Sequence, residues 1–325
     1  MMYTSKYHDI NLADFSFLIT GGAGFIGSNL VEYLLKYNAK KVRVLDNLST
    51  GFQSNLEEFI DNPSFEFVDG DITRLEDCVD VMKGIDFVSH QAALGSVPRS
   101  IKDPLASHNA NVNGFLNMLI AQKESESVKR MVYAASSSTY GDSTELPKVE
   151  YTIGKPLSPY AVTKYVNELY ANVFATTYAI ETVGLRYFNV FGPKQSPNGA
   201  YAAVIPLFIE ALQKNHSPTI HGDGEQTRDF TFVENAVQAN IKAFFSDKSA
   251  TNQIFNVAYG DRISLNELWN ILKNISGKTS AKAVHGPKRQ GDVRDSLANI
   301  DKAKNLLGYN PKYSVEEGLR LTWKL

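Results

Sequence analysis

The chain has 325 residues, of which 43% are hydrophobic and 21% charged, and its formal net charge is -2. That length suits two domains or one large α/β unit with an appended lobe, and the charge excludes a basic face built for nucleic acid or an anionic membrane. A single cysteine, Cys78, excludes an intrachain disulfide framework and a cysteine-rich metal site.

The first fourteen residues read as a polar extension without the apolar core of a signal peptide, which points to a reducing cytoplasm. Apolar runs such as Ala202 to Ile205, before Pro206, are too short to span a bilayer. Phe15 to Thr20 reads as a strand, and a glycine-rich turn follows. Ser28 to Tyr37 then has helical apolar spacing at Leu30, Val31, Leu34 and Leu35. Lys41 to Leu45 is a short β-branched strand that ends at Asp46. The alternation continues with strand Phe65 to Val68, helix Leu75 to Lys83 (with Cys78 as a small buried residue) and strand Phe87 to Ser89. Helix Ala106 to Lys123, strand Arg130 to Ala134, helix Pro159 to Tyr178 and strand Thr182 to Arg186 complete the first half. Strands alternating with helices imply an α/β fold, a doubly wound parallel sheet with helices on both faces.

After Phe188, glycines and prolines punctuate shorter elements, as in a lobe built from loops. Ile254 to Ala258 again reads as a buried strand that returns to the main sheet. Helices at Leu265 to Ile275 and Asp301 to Leu307 follow, the second stopped by Gly308. The expected division is a dinucleotide-binding domain of residues 1–187 plus about 230–260. A smaller, discontinuous α/β lobe takes about 188–229 plus 261–325.

Gly21, Gly24 and Gly27 lie between the first strand and first helix. Glycine there permits a tight turn, close approach of a pyrophosphate and packing of helix on sheet, and the helix N-terminus then favours the anion. Asp46 stands where an acid binds both ribose hydroxyls and repels a 2′-phosphate, which favours NAD over NADP; the alternative is a turn cap. Asp71 and Ile72 follow the third strand, at the adenine edge. Gln91, Ala92 and Ala93 follow the fourth, beside the nicotinamide ribose. Carboxyl ends of strands are where open parallel sheets place ligands.

Tyr160 and Lys164 are four apart on one helix and therefore neighbours. A phenol titrates near pH 10, and an adjacent ammonium lowers that value, as a tyrosine general base requires. Upstream, Ser136, Ser137 and Ser138 end a strand at the same sheet edge, where a hydroxyl can bind a substrate oxygen as it passes between alcohol and ketone. Taken singly, each of these residues has a purely structural reading. It is the order of glycine loop, Asp46, serine run and Tyr160/Lys164 that points to redox chemistry, with Tyr160, Lys164, Ser136 and Ser137 as catalytic candidates. No metal is expected.

Gly21-Gly-Ala-Gly-Phe-Ile-Gly27, Ser136-Ser-Ser-Thr-Tyr-Gly141 and Ser158-Pro-Tyr-Ala-Val-Thr-Lys164 together resemble the extended short-chain dehydrogenase/reductases, over roughly Phe17 to Leu321. Arg186 to Pro193, Gly222-Asp223-Gly224 with Arg228-Asp229-Phe230, and Gly291 to Arg294 narrow the likeness to UDP-sugar 4-epimerases. The resemblance implies a Rossmann domain whose NAD also touches Phe25, Ile26, Asn47, Ser49, Thr50, Gly51 and Tyr187. For the UDP-sugar it implies Gly95, Ser96, Asn189, Gln195, Ala203, Val204, Arg228, Arg289, Asp292 and Ser296, beside the three serines. Arginine suits phosphate because its planar fork pairs bidentately. Dehydrating members carry an acidic pair where this chain has Ser136-Ser137-Ser138, so oxidation and reduction at one carbon is the expected chemistry.

Ser296 stands where epimerases of the plain hexose carry a tyrosine, which leaves room for a 2-acetamido group. Gly95 to Ser100 and Tyr201 to Pro206 resemble a loop and a uracil-side strand of the subgroup acting on UDP-N-acetylglucosamine and UDP-N-acetylgalactosamine. A UDP-glucuronate epimerase, with Arg99 or Arg294 on the carboxylate, is the alternative; a catalytically silent NAD-binding regulator would have lost Tyr160 or Lys164. The likeness also implies a homodimer through the helices at Ala106 to Lys123 and Pro159 to Tyr178.

Overall fold

A computed structural model describes residues 2–198, 202–288 and 293–324. Seven parallel strands form the central sheet: β1 (Ser16–Thr20), β2 (Lys41–Asp46), β3 (Phe65–Asp69), β4 (Phe87–His90), β5 (Arg130–Ser136), β6 (Thr182–Tyr187) and a returning strand, Gln253–Val257. From one edge the order is Gln253–Val257, β6, β5, β4, β1, β2, β3. The order reverses beside β1, so the carboxyl ends of β1 and β4 border the crevice where such sheets bind ligands. β1, β4 and β6 are buried along their whole length, as strands covered by helices on both faces must be.

The helices are α1 (Phe25–Lys36), α2 (Leu75–Met82), α3 (Val97–Lys102), α4 (Pro104–His108), α5 (Gly114–Glu124), α6 (Pro159–Tyr178), α7 (Val204–Gln213), α8 (Val233–Phe244), α9 (Leu265–Ser276), α10 (Asp301–Leu307) and α11 (Val315–Lys324). Three short strand pairs lie outside the central sheet: Val190–Phe191 with Thr231–Phe232, Thr227–Arg228 with Ile263–Ser264, and Thr219–His221 with Val284–Gly286. Cys78 is buried in α2 and donates to Ile72 O. No helix of the described residues is long and apolar enough to cross a membrane.

Three expectations need correction. The opening residues are not a solvated extension, because Met2, Tyr3, Tyr7, His8 and Leu12 are buried. Tyr3 N and Tyr7 Oη both donate to the Glu234 carboxylate of α8, and Tyr7 stacks on Tyr33 of α1. Aromatic rings with one polar end can be buried when that end finds a partner, and here it does. Second, the single helix expected over Ala106 to Lys123 is α4 and α5 joined by a π turn at Asn109–Asn113.

The expected strand over Tyr201 to Pro206 is instead the start of α7, with Tyr201 itself outside the described residues. Pro206 sits in its first turn, where the missing N–H leaves no intrahelical bond unmade. In α8, Val233, Ala236, Val237, Ile241 and Phe244 form an apolar stripe, and Glu234, Asn235, Gln238 and Asn240 are buried beside it and bonded to neighbouring segments.

Candidate functional site

The glycine turn is shaped to leave room for an anion. Gly21 is left-handed (φ +68°), and a Cβ there would lie 2.7 Å from Ala92 N. On Gly27 a Cβ would fall 2.2 Å from Gly21 O, so only glycine lets α1 start this close to β1. α1 begins at Gly24 with no side-chain cap and no acid in its first turn. Its N-terminal N–H groups are therefore directed to whatever occupies the crevice.

In front of this turn lies a cavity of about 710 Å³. Every residue expected to hold the dinucleotide lines it: Gly21, Gly24, Phe25, Ile26 and Gly27 from the turn; Asp46, Asn47, Ser49, Thr50 and Gly51 after β2; Asp71 and Ile72 after β3; Gln91, Ala92 and Ala93 after β4; and Tyr160, Lys164 and Tyr187. Gly95, Ser96, Ser136, Asn189 and Gln195 line it too. The two readings of Asp46 are compatible. Its Oδ2 accepts from Ala23 N and its Oδ1 from Leu48 N, both at 2.9 Å, so it braces the glycine turn while facing the cavity. Burial raises its carboxyl, and those two N–H groups oppose the shift.

Tyr160 and Lys164 are set by the start of α6. Ser158 caps the helix through Ala161 N, and Ser100 Oγ accepts from Tyr160 N at 3.0 Å. Lys164 is buried, and its Nζ donates to Ala134 O of β5 at 2.7 Å. This corrects the expected electrostatics. Burial raises the Tyr160 phenol above its ordinary value, and the opposing influence is a hydrogen bond with Ser136 rather than the Lys164 charge. Burial likewise depresses Lys164 to about 8, with Glu168 opposing. The two side chains lose solvent together, and the ammonium is turned to the β5 backbone.

The serine run divides between two cavities. Ser136 faces the large one, and all three serines line a smaller cavity of about 200 Å³ with Asn189, Arg228 and Ser296. Ser136 Oγ accepts from Ser138 N and Ser138 Oγ, which leaves its own proton for another acceptor. A third cavity of about 510 Å³ meets these at Asn189 and is lined by Gln195, Ala203, Val204 and Arg228. Arg228 Nη1 donates to Thr227 O and Arg294 O. Arg289 and Asp292 lie outside the described residues.

Several lining residues carried no sequence signal. Lys148, buried in the smaller cavity, sits in an irregular segment, and Ser158 reads only as a helix cap. Asn109 and Ala110 reach the large cavity from the π turn.

His90 ends β4 beneath the crevice, with Nδ1 2.8 Å from Thr20 Oγ1. Burial lowers its imidazole to about 3, helped by the Lys164 charge, so it stays neutral in the folded protein. In the unfolded chain it gains a proton below about pH 6.5. Stability is therefore fully present above that pH and is lost as the pH falls towards 3. We expect the thermal midpoint to drop between pH 7 and 5 and the drop to be shallower in His90→Asn; equal slopes would contradict this origin.

The match to known proteins is extensive. Residues 17–258 fit the model of the NAD dependent epimerase/dehydratase family. A putative UDP-glucose 4-epimerase of Methanocaldococcus jannaschii is 38% identical over 306 residues, covering 93% of this chain and 95% of that protein. The solved UDP-N-acetylglucosamine 4-epimerase of Methanobrevibacter ruminantium M1, in complex with UDP-N-acetylmuramic acid, is 38% identical with a TM-score of 0.90, over 95% of this chain and 97% of that one. The UDP-glucuronic acid 4-epimerase of Bacillus cereus, solved with UDP-glucuronic acid and NAD, is 31% identical with a TM-score of 0.88, over 95% and 98%.

Proposed function

Since this chain belongs to the NAD-dependent epimerase/dehydratase family and is a UDP-sugar 4-epimerase, we propose that it interconverts UDP-N-acetylglucosamine and UDP-N-acetylgalactosamine through a 4-keto sugar. When bound, NAD takes the hydride from C4 and returns it to the opposite face, and its positive nicotinamide favours a nearby phenolate.

The chain's own groups do the rest. Tyr160 Oη accepts the 4-hydroxyl proton and later gives it back. Ser136 Oγ donates to the same oxygen as it becomes a carbonyl, with Ser137 and Ser138 beside it. Lys164 holds the cofactor ribose. Asn189, Gln195, Ala203, Val204 and Arg228, with Arg289 and Asp292, anchor the UDP end while the sugar turns. Residues 1–187 plus about 230–260 are then the dinucleotide domain, and the remainder the sugar lobe, in a cytoplasmic enzyme.

Ser296 carries the choice of sugar. It lines the small cavity together with Ser136, Ser137 and Ser138, and a short side chain there leaves space for an acetamido group. Ser296→Tyr should lower kcat/KM at least about tenfold for the acetylated donors while sparing UDP-glucose, a difference of about 1.4 kcal/mol. Equal losses on both, or equal wild-type constants for acetylated and plain donors, would overturn the pocket argument.

One observation favours the uronate reading. Lys148 is buried in the same cavity and donates to Ser143 O, so an ammonium stands near the sugar. Arg294 is instead ion-paired to Asp223. Turnover of UDP-glucuronate above that of UDP-N-acetylglucosamine would establish this second reading.

We also propose a homodimer through α6 and the α4–α5 run. Val162, Leu169 and Val173 of α6 lie on one exposed face, with Leu105 of α4 also exposed. Light scattering should give twice the chain mass; Leu169→Glu with Val173→Glu should give monomers, and a monomeric wild type would refute the proposal.

A further inference from the structure

Tyr187 ends β6, is buried, and lines the large cavity together with Gln91 and Lys164. Its hydroxyl meets two side-chain amides. Asn240 Nδ2 donates to it at 2.7 Å and Gln91 Nε2 at 3.1 Å.

The identity of the Asn240 atom is fixed by its other contact. The same Nδ2 lies 2.9 Å from Ala236 O, and a backbone carbonyl can only accept. Asn240 Oδ1 in turn accepts from Ser89 Oγ at 3.1 Å and Gln91 Nε2 at 3.2 Å. Gln91 Nε2 also lies 2.8 Å from Ser89 Oγ, so its two protons are shared among three acceptors. Neither amide nitrogen can accept a proton, so the Tyr187 O–H must point away from both. Tyr187 and Gln91 both line the cavity, so an acceptor for that proton can stand there. Burial pushes this phenol up to about 12, against the two amide N–H groups, so it keeps its proton at neutral pH.

The sheet order says which part of a dinucleotide meets it. β6 lies four strands from β2, whose Asp46 faces the adenosine ribose. At about 4.8 Å per strand that is roughly 19 Å, the far end of the cavity, next to Tyr160 and Lys164.

We infer that Asn240 is a positioning residue: with Ser89 and Gln91 it makes Tyr187 a donor-only hydroxyl aimed at the uncharged carboxamide oxygen of the cofactor's nicotinamide ring. The inference rests on the large cavity being the dinucleotide site. It assigns a role to α8, a helix that contributes no lining residue of its own to that cavity.

The test compares NAD with ADP-ribose, which lacks the nicotinamide ring. Titrating ADP-ribose against cofactor-loaded protein gives the ratio of the two affinities. Asn240→Leu should reduce the preference for NAD about tenfold, the worth of one buried hydrogen bond, and leave ADP-ribose affinity unchanged. Ser89→Ala, a milder change that frees one side of the Asn240 amide, should move the ratio in the same direction by less. In a Tyr187→Phe background Asn240→Leu should add nothing, because its effect runs through the hydroxyl. Equal weakening of both ligands, an unchanged ratio, or full additivity with Tyr187→Phe would overturn the role of Asn240. A wild type that binds neither ligand would instead refute the dinucleotide site, and the inference with it.

Discussion

Tyr160→Phe should lower kcat about a thousandfold, about 4 kcal/mol of transition-state stabilisation, and leave KM within a few-fold. Phenylalanine keeps the ring and the helix start that Ser158 and Ser100 fix, and removes only the atom that moves the proton. Loss of uniform binding would raise KM instead, so the split between the two constants identifies the role. Retention of more than a tenth of wild-type turnover would remove Tyr160 from the proton transfer. Burial raises the phenol in the cofactor-free protein and the nicotinamide charge opposes that shift, so kcat/KM of the NAD-loaded wild type should fall on the acid side as the phenolate is protonated. A rise towards acid pH would mean that the phenolate is not the form that reacts.

The second large effect is expected from a pair that no ligand touches. Arg186 and Glu168 are both buried and joined by two parallel bonds, Nε to Oε1 at 2.8 Å and Nη2 to Oε2 at 2.7 Å. Arg186 also donates to Glu150 O and lies over the Tyr140 ring. Glu168 is one turn beyond Lys164 on α6, so the pair ties the helix that carries Tyr160 to β6. Arg186→Met would strand a buried carboxylate, and we expect a loss of about 3–5 kcal/mol in denaturant unfolding. Removing both charges, as Glu168→Met with Arg186→Met, should recover most of it, since the desolvated charge and not the missing contact dominates. A double variant no more stable than the single would contradict that cause.

Local chemistry made much of this legible in the sequence. The turn at Gly21 to Gly27, the acid ending β2 and the polar residues after β4 could be placed together from the sequence, because their positions at strand ends depend on neighbours close in the chain. All of them converge on one cavity. What stayed hidden depends on distant partners. Tyr3 and Tyr7 look like solvated residues until Glu234, more than two hundred positions away, is placed beside them. The apolar stripe of α8 gives no sign that its polar residues are buried too, and Asn240 is one of them. The charge relation of Tyr160 and Lys164 was also out of reach: helical spacing makes them neighbours, but only packing against β5 turns the ammonium to Ala134 O. Lys148 likewise reaches the smaller cavity through an irregular segment that carries no periodic signal.

The central claim is that hydride leaves C4 and returns to C4 without exchange. UDP-N-acetylglucosamine carrying deuterium at C4 tests it in one reaction, read by proton NMR of the product. The account predicts UDP-N-acetylgalactosamine with its deuterium still at C4 and none in the solvent. Product with hydrogen at C4, or recovery of the substrate with its configuration unchanged, would contradict it.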